Sequence, residues 1–249
     1  MAADQPTILA TSSGFAPEPD DPTNMSNIKP SKVFALAAEL AHAGEHPRVC
    51  MINTAGGEDP ARTATMHNAF SKADMISSHL DLFVMPNWKD MRGHLLSQDI
   101  IWVGGGSTAN LLALWRLHGI DVILRECWDA GVVLAGVSAG AICWHIGGTT
   151  DSFGLPLQPV TNGLAFLPYS HSPHYDAEAE RRPLTQRLIA EGVLPDGYAT
   201  DNGTGILFFG TDLQYGFTEV EGKKTWFISR TGDGDGDGAV EIEVETRAL

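Results

Sequence analysis

Basic residues are scarce in this chain. Lys and Arg number 16 against 31 Asp and Glu, a formal net charge of −15 over 249 residues. A surface this acidic repels phosphate backbones and anionic bilayers, which argues against nucleic acid and membrane surfaces as partners. It also means that an acidic substrate needs a local basic pocket. Cysteine is equally sparse, with only Cys50, Cys127 and Cys143. No two of them make a C-x-x-C pair and each lies in or beside an apolar stretch, so buried, reduced thiols in a cytoplasmic protein are expected. No apolar run approaches the length of a membrane helix, and the N-terminus shows no basic segment followed by an apolar one.

What is present is alternation. Residues 7–11, 48–53, 80–85, 99–103 and 132–137 read as strands, and 32–43, 60–73, 110–118 and 120–130 have helical spacing. Strands that are nearly continuous apolar runs, alternating with helices, imply an α/β fold: a mostly parallel sheet covered by helices on both faces. The regularity weakens later. Residues 147–173, rich in Gly, Pro, Thr and Ser, read as loop, 182–191 as helix, and 206–209, 225–229 and 240–244 as late strands added in antiparallel fashion. No internal repeat or linker marks a second unit, so residues 1–249 are expected to form a single α/β domain.

The chain is organised around Leu134-Ala135-Gly136-Val137-Ser138-Ala139-Gly140-Ala141-Ile142-Cys143-Trp144. Gly136-x-Ser138-x-Gly140 is the pattern of a nucleophile elbow, in which a strand turns sharply into a helix and lifts a serine hydroxyl clear of the backbone. The tight turn requires nearly side-chain-free residues two before and two after the serine. The N–H of Ala139, opening the helix, can then face a developing oxyanion. Gly104-Gly105-Gly106 ends another apolar strand, and its N–H groups can approach a ligand with no Cβ in the way. It has neither the lysine of a P-loop nor the G-x-G-x-x-G order of a dinucleotide site.

A serine nucleophile needs a base and a group to orient that base. Of the nine histidines, His171 and His174 stand out in Tyr169-Ser170-His171-Ser172-Pro173-His174-Tyr175-Asp176, where Pro173 fixes the backbone ahead of His174. Asp151 and Asp176 both qualify as the orienting acid. Arg181 and Arg182 follow closely and have the fork geometry that holds a substrate carboxylate, or alternatively pair with Glu178 or Glu180. The run 232–238 alternates Gly and Asp like the start of a calcium loop, but Val244 stands at the twelfth position, where such a loop carries glutamate. It is expected to be a flexible hairpin turn, and no metal site is assigned.

Together these pieces resemble the peptidase E family of α-aspartyl dipeptidases, which is itself similar to cyanophycinase. The likeness rests on Trp102-Val103-Gly104-Gly105-Gly106-Ser107-Thr108, the elbow, Thr149-Thr150-Asp151-Ser152 and Ser172-Pro173-His174-Tyr175-Asp176, which occur in the family's order. It covers about residues 5–215 and leaves 219–249 as an extension. The resemblance implies a class I glutamine amidotransferase-like three-layer sandwich. It implies Ser138 as nucleophile, His174 as base and Asp151 as acid, with Gly105, Gly106 and Ala139 as oxyanion donors. Substrate contacts fall on Arg181 or Arg182 and on Ser107, where the family commonly has asparagine. The implied reaction is hydrolysis, without metal or organic cofactor, of dipeptides or short peptides with an N-terminal aspartate through an acyl-enzyme. Alternatives are a cyanophycinase-like hydrolase of β-Asp-Arg units, a thiol amidotransferase using Cys143, and a binding protein that has kept only the fold.

Overall fold

The computed structural model describes residues 2–24, 26–231 and 238–249. The chain opens with β1 (Thr7–Thr11), a two-stranded ribbon of β2 (Phe15–Pro17) and β3 (Ile28–Pro30), and α1 (Lys32–Leu40). Next come β4 (Arg48–Ile52), a 3-10 turn at Thr54–Gly56, α2 (Pro60–Lys72), β5 (Ile76–Leu80) and α3 (Met91–Leu96). β6 (Ile100–Val103), α4 (Thr108–His118), α5 (Ile120–Asp129), β7 (Val133–Val137) and the four-residue α6 (Ala139–Ile142) lead into the second half. That half holds β8 (His145–Thr150), β9 (Gln158–Val160), β10 (Leu167–Pro173), α7 (Arg181–Ala190), β11 (Gly197–Thr200), β12 (Thr204–Phe209) and β13 (Asp212–Thr218). It closes with β14 (Thr225–Arg230), β15 (Ala239–Val244) and β16 (Thr246–Ala248).

The first sheet has eight strands in the order β16-β13-β12-β1-β7-β6-β4-β5. Strands β1, β7, β6, β4 and β5 run parallel, and β12 joins β1 antiparallel. Both faces of the parallel part are covered, which is why its strands read as unbroken apolar runs. Successive residues go to opposite sides. Ile8, Ile52, Ile101, Val103 and Leu134 pack with α4 and α5, while Leu9, Met51, Trp102, Val133 and Ala135 pack with α1 and α2. This is the mixed α/β sandwich that the alternation implies.

A second sheet has six strands in the order β15-β14-β11-β10-β8-β9; β14 and β15 are the late strands expected at 225–229 and 240–244, and β8 to β11 are the part the sequence reading misses. Residues 147–173 form three strands instead of a loop. Their glycines sit at contacts too close for a side chain: a Cβ on Gly147 would lie 2.0 Å from Val160 O, and one on Gly148 1.9 Å from His171 O. Glycine here marks close strand packing, which composition alone cannot tell from a loop. One face of this sheet packs Tyr198 against the main core, and the other packs Ala199 and Ile228 against Leu184 and Leu188 of α7.

One further expectation changes. The strand expected at 80–85 lies earlier, at Ile76–Leu80, on the edge of the first sheet. An edge strand needs fewer apolar residues, and the apolar Phe83, Val84 and Met85 that follow it are exposed. The elbow helix α6 ends after one turn, and His145 opens β8. The extension contributes β14 and β15 to the second sheet and β16 to the first. The Gly-Asp run expected as a hairpin turn lies at 232–237 outside the described residues, with Gly238 just before β15.

The elbow depends on two glycines. A Cβ on Gly136 would lie 2.3 Å from Gly140 O, and one on Gly140 would lie 2.2 Å from Val103 O. These contacts are with backbone, which cannot step aside. Gly140→Ala should therefore lower stability by about 1–3 kcal/mol, read as a lower denaturation midpoint in urea at unchanged m-value. All three cysteines are buried. Burial pushes the Cys50 and Cys127 thiols up to about 12 and Cys143 well above its ordinary value. A thiol reagent at pH 7 should thus label none of them in the native protein and all three after denaturation.

Candidate active site

The parallel strands end side by side along one edge of the first sheet, and the turns that follow them meet there. The turn after β7 carries Ser138, whose backbone is held at φ 57° and ψ −117°. Such a conformation in a non-glycine residue stores strain that the surroundings must hold in place. The restraint is visible: the Ser138 N–H donates to Thr11 O at 3.1 Å, and its C=O accepts from Ala141 and Ile142 at 2.9 Å. The N–H of Ala139 is left as an orphan donor of the helix start.

The turn after β6 packs directly against the serine. A Cβ on Gly105 would lie 3.1 Å from Ser138 Cβ and 3.7 Å from its Oγ. Gly106, at φ 140°, lies over Ala55 O, 2.2 Å from where its own Cβ would be. Gly104 N–H donates to Ile52 O and Ser107 N–H to Ala55 O, so both flanks of the turn are pinned. Among the described residues, the N–H groups of Gly105 and Gly106 have no partner. Ser107 is the N-cap of α4, its Oγ accepting from Asn110 N–H, so its hydroxyl is engaged in holding the helix start.

His174 follows β10 and also has a positive φ, 54°. Its N–H donates to Ser12 Oγ at 2.9 Å, one residue along from the Thr11 carbonyl that holds Ser138. The serine and the histidine thus hang from adjacent residues at the end of β1. Their side chains are not hydrogen-bonded to each other in this structure. The imidazole Nδ1 lies 2.6 Å from Asn202 Oδ1. Since Oδ1 can only accept, Nδ1 carries the proton in the neutral ring and Nε2 is the free base nitrogen.

In this structure the side chain against the ring nitrogen is that of Asn202, and neither expected aspartate touches the imidazole. Asp151 is exposed and makes no side-chain hydrogen bond among the described residues. Asp176 lies one step behind: its Oδ1 accepts the Asn202 N–H at 2.8 Å, and Lys223 pairs with its Oδ2. Against the upward push of burial, those two donors keep the Asp176 carboxyl below its ordinary pKa. The signal for Asn202 lies in topology. β10 and β11 pair in parallel with Pro173 opposite Thr200, so the residues after each strand come to the same level although 28 apart in sequence.

The second histidine candidate, His171, is buried and stacked on His145 at 4.7 Å. Burial holds both rings well on the neutral side, His145 at about 4. Both expected arginines already have carboxylate partners. Arg181 is 2 % exposed, donating to Thr149 O at 2.6 Å and to Glu178 Oε2 at 2.7 Å. Arg182 pairs with Glu241 and lies over the Trp226 ring at 4.8 Å. Glutamate partners are near in sequence or across the sheet, and α7 turns both arginines towards them.

Two cavities share Ser12, Ser13 and Phe15 as a common wall. One, of about 480 Å³, is lined by Val137, Asp59 and Arg62; the other, of about 900 Å³, by His174, Asn202, Lys29 and Lys32. No group of three or more His, Cys, Asp or Glu among the described residues is placed to hold a metal ion. No helix of the described residues is long and apolar enough to cross a membrane.

Comparison with known proteins gives the family. The model of peptidase family S51 matches residues 26–216. The chain is 43% identical over 184 residues to the uncharacterized peptidase YgaJ of Bacillus subtilis, which covers 74% of this chain and 79% of that one. It is 34% identical over 138 residues to peptidase E of Shewanella denitrificans, covering 51% and 57%. Among solved structures, a putative peptidase E protein from Listeria monocytogenes superposes with a TM-score of 0.60 at 21% identity, covering 84% of this chain and 97% of that one. A peptidase from an acI-B1 actinobacterium gives 0.62 at 16% identity, covering 90% of each. At those identities the two structures speak for the fold, whereas the family model spans most of the chain: this protein belongs to peptidase family S51 and is a peptidase.

Proposed function

We propose that the protein is a serine peptidase that hydrolyses dipeptides or short peptides with an N-terminal aspartate through an acyl-enzyme at Ser138. The observation that carries this reading is the elbow itself: a serine at φ 57° with Gly105 against its side chain and unpartnered N–H groups on both sides. A hydroxyl so placed is a nucleophile that lacks only a base. His174 supplies it. Asn202 holds the ring by Nδ1, and Nε2 takes the Ser138 proton as Oγ attacks the peptide carbonyl.

The tetrahedral oxyanion is then held by Ala139 N–H and by a glycine N–H of the 104–106 turn, each donor contributing about 3 kcal/mol in comparable sites. The Nε2 proton passes to the leaving amine, and a water activated by the same nitrogen hydrolyses the ester. Preference for aspartate is supported by the likeness to proteins named peptidase E and by lysines and an arginine that line the cavities in a chain of net charge −15.

Release of leucine from Asp-Leu should fall by a factor on the order of 10⁶ in Ser138→Ala, the loss seen when an acylating serine is removed; activity retained in that variant would sink the mechanism. The role of Asn202 has its own signature. Asn202→Ala should lower kcat by roughly 10² by freeing the ring. Asn202→Asp should keep the ring in place but set an anion against it. An anion favours the imidazolium and raises the ring's pKa, so the acidic limb of the pH–kcat profile should move to higher pH. A profile unmoved by Asn202→Asp would show that residue 202 does not touch the working imidazole.

A further inference from the structure

The acylating geometry divides the site into two sides. In the reaction proposed above, on which this inference rests, the base protonates the leaving amine, so the leaving residue lies on the His174 side. The residue whose carbonyl is attacked is assigned to the other side, where the 480 Å³ cavity is lined by Val137, the neighbour of Ser138. That cavity contains one cation, Arg62. It stands on the first turn of α2, whose start is fixed by Pro60 and by Asp59, the N-cap, accepting from Ala61 N–H.

Arg62 is exposed, and unlike Arg48, Arg92, Arg125, Arg181, Arg182 and Arg247 it makes no ion pair or hydrogen bond with any described residue. A chain with almost twice as many acids as bases has abundant carboxylates to offer each arginine. One left without a partner on the wall of a cleft is a guanidinium whose five donors are free for a ligand. The only carboxylate lining the same cavity is Asp59, and its Oδ1 is committed to capping α2.

We infer that Arg62 selects the acidic substrate by pairing its guanidinium with the side-chain carboxylate of the residue to be acylated. The recognition is planar and bidentate, which suits arginine and a carboxylate better than lysine. Arg62 thereby takes the part expected of Arg181 and Arg182, which already pair with Glu178 and Glu241.

The test is binding to the full-length Ser138→Ala protein, followed by calorimetry with Asp-Leu and its near-isosteric neutral counterpart Asn-Leu. Ser138→Ala should bind Asp-Leu on the order of 30-fold tighter than Asn-Leu, the worth of one charge-assisted pair. Adding Arg62→Ala should reduce that preference to about threefold or less, and Arg62→Lys should restore part of it. A preference that survives Arg62→Ala, or no preference in Ser138→Ala to begin with, overturns the assignment. Because the readout is binding, it stands apart from turnover. If wild type fails to cleave Asp-Leu while the preference is present and vanishes with Arg62→Ala, the acyl-enzyme reading fails and the recognition role holds.

Discussion

The hydroxyl of Ser12 joins the two halves of this molecule. It sits just after β1 of the first sheet, lies 2.7 Å from Thr200 Oγ1 in the second, and accepts the His174 N–H at 2.9 Å. Its neighbours extend the node: Thr11 Oγ1 donates to Gly136 O, Thr11 O accepts the Ser138 N–H, and Ser12 O accepts the Gly203 N–H. Every turn proposed to bear a catalytic group except the glycine turn is therefore tied to two consecutive residues where one strand ends. Two sheets packed by apolar contact alone can slide by fractions of an ångström at small cost. A buried hydroxyl with fixed partners on both sides cannot, since an unmet polar atom there costs about 1–3 kcal/mol. The strained backbones of Ser138 and His174 persist because this node over-determines them.

Charge is handled by the same economy of partners. Most cations of this acidic chain are neutralised by glutamates and aspartates on the faces away from the cleft, as Arg181 and Arg182 are on α7. Arg181 is buried and serves the fold, holding the end of α7 to the Thr149 carbonyl of β8. Of the cations that line the cleft, Lys32 donates to Leu249 O, while Lys29 and Arg62 have no carboxylate partner among the described residues. An acidic protein can thus offer a positive recess at one place without altering the sign of its surface elsewhere.

Much of this architecture is legible in sequence where local physics dictates it. The elbow is visible because a turn that tight admits only glycine at Gly136 and Gly140, and the parallel strands because burial on both faces makes them uniformly apolar. Pairings made between distant turns are not visible. Asn202 meets His174 only through the register of β10 with β11, and nothing near either residue announces it. Arg181 and Arg182 look alike in sequence, and nothing local shows that Arg181 is buried or that Glu241 reaches Arg182. The strands within 147–173 hide for the opposite reason: their glycines serve contact, while glycine in a list of residues reads as freedom.

An asparagine beside the imidazole divides two tasks that a carboxylate performs together. Its Oδ1 fixes the tautomer and the plane of the ring but brings no charge to the imidazolium that forms during proton transfer. The carboxylates are one step away and are spent on the turn. Asp176 holds the Asn202 N–H, and Asp201, buried and pushed up in pKa by that burial, accepts the Lys224 N–H and the Trp226 indole. Negative charge thus shapes the 201–203 turn and reaches the ring only across intervening atoms, where it is weaker than in a direct pair. In the reaction proposed above, more of the transition-state stabilisation would then rest on the oxyanion side, on Ala139 and the glycine turn. There the donors are backbone groups already fixed by the elbow and need no reorganisation as charge develops.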